Sequence, residues 1–264
     1  MSVRRYNKLL SITAFSIFLS APAFGGRILV NNDEWAFTNF GYAQAGHANA
    51  DQLASNVAGF LTGGPGKILI YSSNFGVTES NFLASLQGAG YDYTLDKTGA
   101  TSFDMTTLAE YKAIFFSGNR RDADDAVLTN YVNRGGGVFL ALGAGAGEFP
   151  SSASEAAAWN PFLNNFGLTL GANYNLFTGT FASTGDHEVF DGVNNIYYNN
   201  GNTVSLTGTN EYASIVQTAP APQGFGLFGI YDGPDVITPE PQTLTLLAAG
   251  LGLFAWMRRI RKAL

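Results

Sequence analysis

The 264-residue chain contains no cysteine. Disulfides, thiolate metal sites and a cysteine nucleophile are therefore excluded, and the fold must be held by packing alone. Histidine is almost as scarce: His47 and His187 are the only two, a thin basis for an imidazole metal centre. Basic charge is also missing from the middle of the chain. Between residues 24 and 237, seven Lys and Arg face nineteen Asp and Glu, a net charge of −12. An acidic body lacks the basic footprint that nucleic acid requires. No G-x-S-x-G elbow is present, so an α/β-type serine hydrolase has no support. TGGPGKI, residues 62–68, is not a P-loop, because Lys67 is followed by Ile68 and a strand rather than Ser or Thr and a helix.

What the chain does have is concentrated at its two ends. Arg4, Arg5 and Lys8 form a charged start, residues 9–19 are an apolar run of eleven, and Ala21 and Ala23 are the small residues a signal peptidase reads. This is the pattern of a secretory signal peptide over residues 1–23. At the far end, Pro239, Glu240 and Pro241 precede an uncharged fourteen-residue run, 244–257, which is followed by Arg258, Arg259, Arg261 and Lys262. As a helix that run is about 21 Å long, a minimal span for a hydrocarbon core of about 30 Å. The basic cluster keeps its own end cytoplasmic and leaves the body outside. The prolines keep the preceding peptide extended and accessible.

The three-part tail resembles the PEP-CTERM sorting signal of Gram-negative bacteria. The resemblance implies recognition and removal by exosortase, a membrane-embedded enzyme. It also implies an inner-membrane-tethered precursor, and then a product at the cell surface or in an exopolysaccharide matrix. Residues 237–264 are assigned to this signal.

Between the two ends, residues 24–236 alternate strand and helix signals. Strands are predicted over 27–31, 67–73, 91–96, 113–116 and 138–142, and helices over 50–61, 79–90, 122–137 and 154–167, the last bent at Pro161. Asp122 is the expected N-cap of the third helix. Strand 91–96 alternates with polar residues and is expected near an edge. The purely apolar 138–142 is expected in the buried middle of a parallel sheet. Strands separated by helices of this length imply βαβ units. After Gly167 the chain turns rich in Asn, Gly, Thr and aromatics, and is expected to add strands to the sheet.

Three stretches, GNRRDADDAVLTNYVNRGGGVFLALGAGAG, GKILIYSSN and DHEVFDGV, resemble class I glutamine amidotransferase-like domains. The resemblance implies a three-layer, flavodoxin-like α/β fold with a mostly parallel sheet and a strand-rich C-terminal extension. It also implies a crevice formed by the small-residue elbow at Gly143 and Gly145 with the segment Asp186, His187 and Glu188. Where that family carries its cysteine nucleophile, this chain has glycine and alanine. The Asp and Glu of NNDEW, after the first strand, also fall at a strand end. The aspartates of RRDADD, 120–125, lack EF-hand spacing and suit helix capping.

The expectation is an exported, non-catalytic surface or matrix protein without cofactor or bound metal. Its partners would be exosortase, signal peptidase with the export machinery, a transient membrane contact and exopolysaccharide. The alternative is an envelope hydrolase or ligand-binding domain using the Gly143 and His187 crevice.

Overall fold

The computed structural model describes residues 25–143 and 149–234. The predicted signal peptide with Ala21 and Ala23, elbow residue Gly145, and the tail from Pro239 to Lys262 with its predicted helix lie outside them. No helix among the described residues is long and apolar enough to cross a membrane.

Five parallel strands form the centre: β1 (Arg27–Asn31), β2 (Lys67–Tyr71), β3 (Asp92–Asp96), β4 (Ala113–Ser117) and β5 (Gly137–Ala141). Their order across the sheet is β3-β2-β4-β5-β1. Every residue of β4 and β5 is buried, as befits apolar strands covered on both faces. β3 takes the edge, in keeping with its polar alternation.

The order departs from the flavodoxin-like 2-1-3-4-5 in one respect. β2 to β5 fill the first four places, and the N-terminal β1 takes the fifth, paired in parallel with β5. β11 (Gly226–Asp232) then pairs antiparallel with β1. β9 (Val204–Leu206), β6 (Leu168–Leu170) and β10 (Ala213–Thr218) extend the sheet beyond it. The strand-rich extension is thus continuous with the parallel core. β7 (Thr178–Ala182) and β8 (Asn195–Asn199) form a separate ladder.

Alternation along each strand divides the core in two. Leu29, Ile68, Ile70, Phe115 and Phe139 face α1 (Asn39–Ala45), α2 (His47–Thr62) and α3 (Ser80–Gly88). Ile28, Val30, Leu69, Phe116 and Leu140 face α4 (Met105–Leu108), α5 (Asp125–Asn133) and α6 (Ser152–Leu163).

Helix starts follow side-chain capping. α5 begins three residues later than the sequence suggests. Asp124, not Asp122, is its N-cap and accepts from the N–H groups of Ala126 and Val127 at 2.8 and 3.0 Å. Three aspartates within four residues, Asp122, Asp124 and Asp125, each offer a cap. The extended backbone of Asp124 selects it. α6 opens with a capping box between Ser151 and Ser154. It ends two residues after Pro161, where a short 3-10 turn continues the chain.

Candidate functional site

Open α/β sheets bind ligands at the carboxyl ends of their strands, where successive connections part to opposite sides. Here the chain leaves β2 for β3 on one side, while β4 lies on the other. The residues that follow β1, β2, β4 and β5 meet at that end: Asp33 and Glu34, Ser72 and Asn74, Ser117 to Asn119, and Gly143.

Glu34 is the centre of this cluster. It opens a 3-10 turn, Glu34–Phe37, capped by Asp33. The Glu34 N–H donates to the Leu142 carbonyl, which ties the end of β1 to the end of β5. Its side chain is 1 % exposed. Asn74 Nδ2 donates to Glu34 Oε2 at 2.8 Å. A Cβ on Gly143 would lie 2.0 Å from Glu34 Cδ, and a Cβ on Gly118 only 2.3 Å from Glu34 Oε2. Both positions must therefore lack a side chain, and Gly118 also has a left-handed φ of 56°.

A second carboxyl arrives from α6. Glu155 is fully buried and its Oε1 accepts the Gly143 N–H at 3.0 Å. In the first turn of α6 its charge also complements the helix dipole. Burial pushes the Glu34 carboxyl well above the usual carboxylate range, and the neighbouring Asp33 and Glu155 reinforce the shift.

Hydrogen bonding works the other way: Asn74 and Ser117 favour the charged form of Glu34, and burial outweighs them. Ser117 Oγ itself donates to the Phe75 carbonyl at 2.7 Å. Asp33 is also buried, and its pKa is pushed up to about 7. Burial there outweighs the backbone N–H groups of Asn199 and Trp35 that favour the charged form. Tyr174 lies near Glu155 and Glu34, and its phenol is raised chiefly by burial.

Among the described residues, the crevice is filled by its own side chains. Ser72 Oγ donates to the Ser117 carbonyl at 2.8 Å, and Asn119 Nδ2 donates to Ser73 Oγ at 2.8 Å. Burial that favours the protonated form makes Glu34 a poor nucleophile or base. Among the described residues no group of three or more His, Asp or Glu side chains is arranged to hold a metal.

The residues singled out from sequence do not converge. Gly143 lies at the carboxyl end of β5. His187 caps a 3-10 turn, Glu188–Phe190, through Nδ1, which accepts from the Val189 N–H at 3.3 Å. Its ring packs on Phe60 at 5.1 Å, and Phe60 in turn meets Arg27 at the start of β1. Arg27 and Asn31 are opposite ends of β1, about 13 Å apart at a strand rise of about 3.3 Å per residue. His187 is therefore at the amino end of the sheet and Gly143 at the carboxyl end. Burial lowers the His187 pKa, as expected of a neutral capping imidazole. Asp186 and Glu188 are exposed beside it. Asp33 and Glu34 were legible as strand-end carboxylates. Glu155, Asn74 and Ser117 were not, since no local signal ties them to Glu34.

Residues 238–262 match a family model described as the PEP-CTERM protein-sorting motif. No curated protein and no solved structure matches the chain. None of these comparisons supports the amidotransferase resemblance of the body. The motif implies a secreted protein processed at the envelope, with exosortase as its processing partner.

Proposed function

We propose that this chain is a non-catalytic protein of the cell surface or extracellular matrix, delivered by export and exosortase processing and associated with exopolysaccharide. The observation that carries the reading is the sorting motif at 238–262. The acidic body, with its net charge of −12 between residues 24 and 237, suits an exported setting without nucleic acid. The closed carboxyl end of the sheet supports the non-catalytic half. Glu34 fills the space above Gly143, and His187 caps a turn at the other end of the sheet. The body reads as a cysteine-free domain of the amidotransferase-like, flavodoxin-like kind, a reading supported only by its strand order and three-layer packing.

The test is to replace Pro239, Glu240 and Pro241 together by alanine in the native host. A longer, membrane-held form should accumulate and the protein should leave the matrix fraction. Unchanged size and distribution would count against the reading.

A further inference from the structure

Beside the closed crevice, a row of aromatic rings runs along the same end of the sheet. Phe75 meets Trp35 at 5.3 Å, Trp35 meets Phe40 at 6.1 Å, and Phe40 meets Tyr197 at 5.3 Å, all edge to face. Tyr197 is buried and anchors the row, Trp35 and Phe75 are half-buried, and Phe40 is 50 % exposed. α1 buries Gly41, Tyr42 and Ala45, which turns Phe40 outward. A single exposed apolar side chain is ordinary, but a contiguous row of rings is a candidate contact surface.

We propose that the row Phe75, Trp35 and Phe40, anchored by buried Tyr197, is a stacking platform for an uncharged polysaccharide chain. The proposal rests on the matrix-protein reading above and names the polymer chemistry it would meet.

Size is the first argument. A fully buried aromatic side chain covers about 150–250 Å², so one half-exposed ring and two half-buried ones offer at most a few hundred Å². A stable protein interface takes about 800 Å² per partner. The row is too small for that and suits a few sugar rings.

Charge is the second. The ionisable groups beside the row are acidic: Glu79, which accepts the Asn39 N–H at 2.6 Å, and the buried carboxyls of Asp33 and Glu34 beneath. The two guanidinium groups at this end of the sheet are turned elsewhere. Arg120 binds Asp125 and the carbonyls of Ala123 and Ala158, and Arg121 binds the Lys97 carbonyl and lies over Tyr71. Among the described residues, a uronate or phosphate polymer would find no counter-charge at the row.

The polar frame is the third argument. Asn39, Gln44, Ser80 and Thr180 are exposed around the row. Amides and hydroxyls both donate and accept, as sugar hydroxyls do. The negative face of each ring attracts the partly positive C–H face of a pyranose.

The test is affinity gel electrophoresis of the exported protein in gels containing hydroxyethyl cellulose, dextran, galactomannan or alginate. At least one neutral polymer should retard the wild type and alginate should not. Phe40→Ala should bind the same polymer roughly 3- to 10-fold more weakly, from the loss of one stacking ring. Its thermal unfolding should be unchanged, and Phe40→Trp should restore binding.

No retardation by any neutral polymer would overturn the proposal, as would equal retardation of wild type and Phe40→Ala. Alginate binding lost in Phe40→Ala would overturn it too, as would self-association lost in that variant. If Phe40→Ala stays in the host matrix as the wild type does, the platform falls and the matrix reading stands. If the wild type itself never enters the matrix fraction, the matrix reading falls, and the gels still decide the platform.

Discussion

Replacing Glu34 with glutamine probes the closed crevice most sharply. The side chain is 1 % exposed and receives a hydrogen bond from Asn74. Glutamine keeps this bond, since its carbonyl can accept from Asn74, and it has no charge to bury. The sign follows from linkage. A carboxyl whose folded pKa is raised above its unfolded value binds its proton more tightly in the native state. Its stabilising contribution is complete in acid and is lost as pH rises towards the folded value. Each such group contributes a slope of at most about 1.4 kcal/mol per pH unit. The Glu34→Gln difference isolates this group, because Asp33, which also disfavours high pH, titrates in both proteins.

Urea unfolding followed by fluorescence at pH 5, 6, 7 and 8 should give nearly equal stability at pH 5. A growing advantage for Glu34→Gln should follow up to pH 8, with a slope of at most about 1.4 kcal/mol per pH unit. A variant less stable than wild type at every pH, with the gap widening as pH rises, would refute the reasoning. It would mean that Glu34 is ionised and stabilising.

Gly143→Ala places a Cβ 2.0 Å from Glu34 Cδ and should cost about 1–3 kcal/mol by overpacking. Combining it with Glu34→Ala should recover part of that loss, readable as a coupling energy in a double-mutant cycle. Asp124→Ala should cost about 0.5–2 kcal/mol through the lost cap of α5. Asp122→Ala should stay within about 0.5 kcal/mol, and the two are separable by thermal unfolding.

The βαβ core was readable because its signals are local. RILVN, KILIY and GVFLA are short apolar runs bounded by Gly or Asn, and they became β1, β2 and β5 with little change of boundary. The cap of α5 was misplaced because Asp122 and Asp124 carry the same local chemistry, and only backbone geometry separates them. The place of β1 beside β5 was not readable, since strand order is set by which faces bury together rather than by any run of residues.

The candidate site was half legible for the same reason. NNDEW announced two strand-end carboxylates. The glycines at 118 and 143 gave no sign that they make room for one of them. Glu155, which lies in a run of small helix-forming residues, gave no sign that it would be buried against Gly143. His187 drew notice as the imidazole in a polar cluster, and that polarity serves a turn.

The central claim concerns the tail, and mass spectrometry of the C-terminal peptide of the exported protein tests it most directly. Exosortase processing predicts a product that ends before residue 244 and lacks the 244–264 segment. An exported product carrying intact peptides through Arg258, Arg259 and Leu264 would contradict it.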